Sequence, residues 1–282
     1  MQYDPIKKAL GTVFNRTPWL RIFFYRLLDL LLLRSWHIRR ELKKWARTAP
    51  IDANILDAGS GFGQYVWRLA AMGKKWNITG LDIKQEQIDD CNRFFGICHL
   101  DNRVVFKEAD LTRFVEPEKY HLILSIDVME HIEEDERVMR NLYQSLKPDG
   151  LLIISTPSDQ GGSDTHHHHE SGVHGFIDEH VRDGYNIDDI GEKLMQAGFT
   201  KTIARYTYGI PGSMAWKLSM KFPILMLNLS KLFFVLLPIY YLLIYPLAYL
   251  LNHLDVRLHH KKGTGLLVTA YKEKYTGIII PE

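Results

Sequence analysis

Residues 54–65, NILDAGSGFGQY, join a short apolar run to a helix-type segment through a turn with glycine at Gly59, Gly61 and Gly63. An acid, Asp57, stands just before the turn. A strand that enters a helix this abruptly belongs to a layered α/β architecture, in which crossover helices return the chain to lay parallel strands. The pattern repeats. Strand-type runs occur at Asn54–Asp57, Trp76–Leu81, Arg103–Phe106, His121–Ser125 and Leu151–Ser155. Helical segments are predicted at Gln64–Met72, Gln85–Phe95 and Val128–Leu146. Continuous apolar strands such as LLIIS predict burial on both faces of a parallel sheet. LKPDGLL, Leu146–Leu152, reads as a helix stop and a turn into the next strand.

Residues 157–186 are polar and glycine-rich, hold four consecutive histidines (His166–His169), and read as a long loop or lid. A helix at Ile187–Ala197 follows, then strand-type runs at Thr200–Thr207 and Gly265–Tyr271. Between those two runs lies an apolar insert. From Leu232 to Leu254 no residue is charged, long enough to cross a bilayer if wholly helical. Pro238 and Pro246 predict kinks. If the flanking strands share one sheet, the insert must leave and return on one side, which favours a kinked hairpin over a single crossing.

Charge is unevenly placed. Residues 1–50 carry 11 Lys/Arg against 3 Asp/Glu, residues 201–282 carry 10 against 3, and the middle carries 14 against 27. Basic ends around an acidic centre predict an anionic partner, either nucleic acid or a membrane surface. The basic segments are also the apolar ones, so no nucleic-acid partner is expected. The stretch WLRIFFYRLLDLLLLRSWHIRRELKKW resembles an interfacial helix. Its run Ile22–Leu33 is broken by Arg26 and Asp29 and does not read as a signal peptide. Both segments could instead be core or dimer-interface helices. Cys91 and Cys98 read as reduced thiols.

The glycine turn cradles a ligand over a helix N-terminus. The phosphate-loop pattern G-x-x-x-x-G-K-[ST] is absent, and the dinucleotide pattern G-x-G-x-x-G fails at Gln64. The observed apolar-x-Asp-x-Gly-x-Gly-x-Gly resembles the loop of class I S-adenosylmethionine (SAM)-dependent methyltransferases, and an acid such as Asp57 suits a ligand that carries an ammonium and a sulfonium. TGLDI puts Asp82 and Ile83 at a second strand end, where a carboxylate can accept ribose hydroxyls. KEADL puts Asp110 and Leu111 where the adenine would lie, and LILSIDVMEHI puts Asp127 at the end of the fourth strand.

On these motifs the sequence resembles the class I SAM-dependent methyltransferases, specifically the small-molecule branch with the quinone-biosynthesis enzymes, over roughly residues 50–210 and 263–272. The resemblance implies a Rossmann-like α/β fold. Its seven-stranded, mostly parallel sheet has helices on both faces and a last antiparallel strand beside the fifth. The apolar helical insert would sit between the last two strands. It also implies, through Asp127, Glu130 and His131, either a divalent metal or a base; the alternative is that Glu130 caps a helix and His131 packs under the cofactor. His180 is the first choice of general base, with His174 also near the lid and His131 a third candidate. His166–His169 read as a solvated loop.

The domain reading is a basic amphipathic region at 1–50, a SAM-binding core at 51–210, an apolar insert at 211–262 and a last strand with tail at 263–282. The expected activity is methyl transfer, O-methylation favoured, to a hydrophobic small-molecule or lipid acceptor. The expected location is the cytoplasmic, inner face of a membrane, held peripherally or monotopically. The alternatives are a soluble methyltransferase dimerising through the insert, and a non-catalytic SAM-binding adaptor. Oligomeric state is left open.

Overall fold

A computed structural model of the 282-residue chain describes residues 17–161 and 181–273. Seven strands form one sheet: β1 Asn54–Ala58, β2 Asn77–Asp82, β3 Val104–Glu108, β4 Tyr120–Ile126, β5 Leu146–Pro157, β6 Lys201–Thr207 and β7 Gly265–Lys272. Their order is β3-β2-β1-β4-β5-β7-β6, and only β7 runs antiparallel to its neighbours. The expected pairing of the last two strands is present, with Tyr206 opposite Leu266. The chain order reverses between β1 and β4, which opens a crevice at their C-terminal ends.

Alternate residues of each strand feed two cores. Ile55, Leu122 and Ile153 pack on one face with Tyr25, Ile38 and Leu42 from the N-terminal helices α1 (Pro18–Leu31) and α2 (Leu33–Trp45). That face also carries α3 (Gln64–Met72) and α4 (Gln85–Ile97). Leu56, Ile123 and Leu152 pack on the other face against α5 (Asp135–Ser145) and α6 (Ile187–Gln196). Each such buried leucine or isoleucine contributes about 1.5–3 kcal/mol relative to exposure.

Most boundaries lie within two residues of the sequence expectation, and two differ by more. The predicted helix Val128–Leu146 is a short 3₁₀ turn, Met129–His131, followed by α5. The buried Asp135 at the start of α5 is held by Arg182, Lys193 and the Tyr185 hydroxyl, and Tyr185 also donates to the Met129 carbonyl at 3.2 Å. These ties break the helix there. The helix does stop at Ser145, but Lys147–Gly150 bulges within β5 rather than preceding it. Pro148 has no N–H to donate to the ladder, and a bulge accommodates that.

The apolar segment folds as a hairpin. α7 (Ile210–Trp216) continues through a widened turn, Lys217–Lys221, into α8 (Phe222–Leu229). After a 3₁₀ segment, the 21-residue α9 (Leu237–Arg257) returns. The wide turn loosens backbone pairing, and Tyr240 and Tyr241 donate their hydroxyls to the carbonyls of Leu218 and Ser219 at 2.7 and 2.8 Å.

One carboxylate fastens the hairpin to the sheet. Asp255, 0% exposed, accepts from the amides of Tyr208 (3.2 Å) and Gly212 (3.0 Å), and pairs with Nε2 of His37 (2.9 Å) and of His260 (3.1 Å). Burial pushes its carboxyl up, but the His37 bond and the other partners outweigh burial and hold it below the usual range. Burial lowers the pKa of His37, whose Nδ1 has no partner, so the ring is neutral and donates from Nε2. Replacing Asp255 by alanine would strand these donors. Asp255→Ala is expected to lower unfolding stability by about 3–5 kcal/mol in a denaturant titration. For the wild type, the neutral preference of His37 costs stability as pH falls below about 6.5, the unfolded value. The share from Asp255 is complete above about pH 4 and lost as pH falls through its lower folded value.

Candidate active site

Most of the predicted cofactor residues lie at or just beyond the C-terminal ends of β1, β2, β3 and β4. Gly59 has φ +85°, and a Cβ there would collide with the Val128 side chain. Gly63, with φ +82°, lies against Phe95 and Phe106, where a Cβ would stand 3.1 Å from each ring. Only glycine lets the loop take this course. The amides of Gly59 and Ser60 both donate to the Leu81 carbonyl, at 2.8 and 2.7 Å, which folds the turn against β2. Gly61 donates to Asp82 Oδ2 at 2.9 Å and Lys84 donates to Asp82 Oδ1 at 3.0 Å. Both oxygens are thereby aimed, and a carboxylate retains further lone pairs for two hydroxyls.

Asp57 lies below this turn, 1% exposed, with Oδ2 unpartnered; the Ser60 hydroxyl beside the turn is buried and unpartnered too. Burial, and secondarily the charge of Asp82, push the Asp57 carboxyl up to about 7. A buried acid without a cation fits a ligand that brings one, and SAM brings an ammonium. Ile83 is 58% exposed next to Asp82, and Leu111 is buried. Asp110 is exposed and accepts from the Thr112 amide and hydroxyl, which place its carboxyl below the usual range. These residues can line an adenosine.

The N-terminal helices reach this site, which sequence patterning did not reveal. The Arg21 guanidinium and Tyr25 hydroxyl both donate to the Phe62 carbonyl, and Gln64 donates to Asp29 at 2.9 Å. Arg21 and Arg34 thus turn inward, which leaves Arg26 as the exposed arginine of α1. Arg34, at the start of α2, forms an ion pair with Asp127 and gives its amide to the Tyr208 hydroxyl at 3.1 Å; its Nε is buried without a partner. Asp127 has φ +54° and Tyr208 φ +55°, so this cation is bracketed by two left-handed residues. A guanidinium with a spare buried donor can take a ligand carboxylate.

The predicted metal set does not assemble. Asp127 is taken by Arg34, while Glu130 is buried and accepts from the Thr156 hydroxyl at 3.1 Å. Burial raises the Glu130 carboxyl, against the pull of its own amide and of His131. His131 is exposed. Among the described residues, no three His, Cys, Asp or Glu side chains form a group that could hold a metal. Asp127, Glu130 and His131 therefore do not fit a divalent ion, and the alternative of Glu130 capping a helix also fails, since α5 begins at Asp135. His166–His169, His174 and His180 lie outside the described residues.

The raised Asp57 carboxyl makes ligand binding proton-linked. A cation requires the carboxylate, so SAM affinity is expected to rise with pH through about 7 and to fall up to tenfold per unit below it. Calorimetry near pH 7 in buffers of different ionisation enthalpy should register proton release on binding. Asp57→Asn should abolish that release and weaken SAM roughly 10- to 100-fold at pH 8.

Residues 56–152 match the family described as a methyltransferase domain. The ubiquinone biosynthesis O-methyltransferase of Rickettsia bellii is 30% identical over 105 residues, which is 37% of this chain and 42% of the relative. That of Rickettsia akari is 28% identical over 120 residues, 43% of each chain. The chain thus spans about two-fifths of the length of these curated relatives. Among solved structures, Haemonchus contortus phosphoethanolamine N-methyltransferase 2 in complex with SAM superposes with a TM-score of 0.58 at 17% identity, over 89% of this chain and 60% of the other. A putative sarcosine dimethylglycine methyltransferase from Galdieria sulphuraria gives 0.55 at 17%, over 85% and 84%. At these identities the structural likeness is one of fold. With the glycine loop and the sheet order in place, residues 56–152 match a methyltransferase domain, and the chain has the fold of SAM-dependent methyltransferases and is similar in sequence to the quinone-biosynthesis enzymes.

Proposed function

We propose that the chain is a SAM-dependent methyltransferase that methylates an oxygen of a hydrophobic or lipid-linked acceptor at the cytoplasmic, inner face of a membrane. The observation that carries this reading is a connection. Asp255 of the exposed apolar hairpin binds the Tyr208 amide, the Tyr208 hydroxyl receives the Arg34 amide, and Arg34 pairs with Asp127 in the site. The names of the Rickettsia relatives support an acceptor of quinone type and O-methylation.

When bound, SAM supplies a sulfonium-activated methyl group. The chain's part is positioning and exclusion of water. Asp57 pairs with the ammonium, Arg34 with the carboxylate, and Asp82 accepts the ribose hydroxyls. Ile83, Asp110 and Leu111 bound the adenine. Asp127 holds Arg34 in place. His131, exposed beyond the end of β4, can accept the acceptor's hydroxyl proton. His180 and His174, which lie outside the described residues, remain the further candidates for that role.

The test is to incubate protein, or an Asp57→Ala/Asp82→Ala control, with host membranes and methyl-labelled SAM, and to partition the products. Label in the organic phase, lost in the control, is the expected result. Label confined to the aqueous phase would instead favour a soluble methyltransferase whose hairpin serves a dimer contact.

A further inference from the structure

We infer that the α7–α9 hairpin, together with α1, lies flat on an anionic lipid leaflet as a non-spanning docking surface. The inference deepens the membrane-surface reading above and rests on it.

Length argues against a crossing. α9 is long and apolar enough to span by composition. Yet its buried residues are Ala248, Asn252 and Asp255, so its last two turns turn a polar side into the protein. The apolar part before Asn252, Leu237–Leu251, is 15 residues, about 22 Å of helix against roughly 30 Å of hydrocarbon. Both ends of the hairpin also join neighbouring strands, since β6 precedes α7 and β7 follows α9.

Exposure marks the side that faces lipid. Ile239, Leu243, Leu247, Leu250 and Leu254 are exposed at steps of three and four, a stripe along the whole of α9, and Leu242 beside them is 76% exposed. α1 shows a matching stripe of Trp19, Phe23, Arg26 and Leu30. The Tyr245 hydroxyl donates to the Leu30 carbonyl at 3.1 Å, so α9 touches the last turn of α1, and Trp36 of α2 packs edge-on against Tyr249. An apolar face of this extent requires a cover.

Charge selects the cover. From Tyr208 to Lys262 the sequence holds six Lys/Arg and one acid, Asp255, which is fully buried among its partners. Lys217, Arg257, Lys261 and Lys262 are exposed. A second copy related by a two-fold axis would bring these like charges together. Anionic headgroups would neutralise them.

The experiment uses the full chain with phosphatidylcholine vesicles, with and without phosphatidylglycerol, read by sedimentation. Binding should require the anionic lipid and weaken with salt. A K217E/K261E/K262E variant should lose roughly 100-fold in affinity while SAM binding is unchanged. A fluorescent label at Ile239→Cys, Leu247→Cys or Leu254→Cys, each with Cys98→Ser, should report the same shallow depth at all three positions. Equal binding to neutral vesicles would overturn the electrostatic docking yet leave a membrane-surface enzyme. A deep central label with shallow ends would overturn the flat orientation. Failure to bind any vesicle, with a detergent-independent dimer in light scattering, would overturn the membrane reading as well.

Discussion

The Asp255 carboxylate is the constraint on which the rest of the arrangement depends. A charge this buried survives only because every approach to it is a donor: two backbone amides and two imidazoles. Those donors come from α2, from the end of β6, from α7 and from the segment after α9. Elements distant in sequence are therefore held by one group, and none can shift alone without leaving a buried donor unpaired. Gly212 shows how close the packing is, since a Cβ there would stand 2.5 Å from both Asp255 and Leu33. The hairpin is thus a built part of the fold, although most of its surface is apolar and exposed.

The same rigidity extends to the site by way of Tyr208 and Arg34. It leaves the site electrostatically incomplete in a directed way. Burial, and secondarily the charge of Asp82, raises the Asp57 carboxyl, whereas Arg34 retains an unpartnered Nε. A zwitterionic ligand with an ammonium and a carboxylate would relieve both at once. Buried polar groups of opposite charge preference left unpaired beside a glycine loop mark a place where a ligand can complete the bonding.

The sheet and the loop were legible in the sequence because their signals are local. A buried parallel strand is a continuous apolar run, and Gly59 and Gly63 occupy positions no side chain tolerates. The helix α3, Gln64–Met72, was recoverable to the residue. What sequence reading missed depends on contacts between distant segments. Nothing near Arg34 announces Asp127, and nothing near Arg21 announces Phe62; the stretch that holds both arginines reads instead as an interfacial helix. Asp127, Glu130 and His131 look like a donor set in one dimension. In three, Arg34 removes the first, and burial against Thr156 turns away the second.

The apolar hairpin fails to declare its orientation for a different reason. α9 is apolar on nearly every side, so periodicity cannot tell its buried face from its exposed one. Composition therefore favours a membrane span, which is what a run from Leu232 to Leu254 implies when read alone. The two residues that decide are polar and buried, Asn252 and Asp255; the protein supplies partners for Asp255 through His37 and His260, while the Asn252 amide has none. They commit one side of the helix to the protein and, by elimination, the leucine stripe to the outside. In a uniformly apolar helix, the rare polar residue carries the orientational information, because misplacing it costs far more than exposing one more leucine.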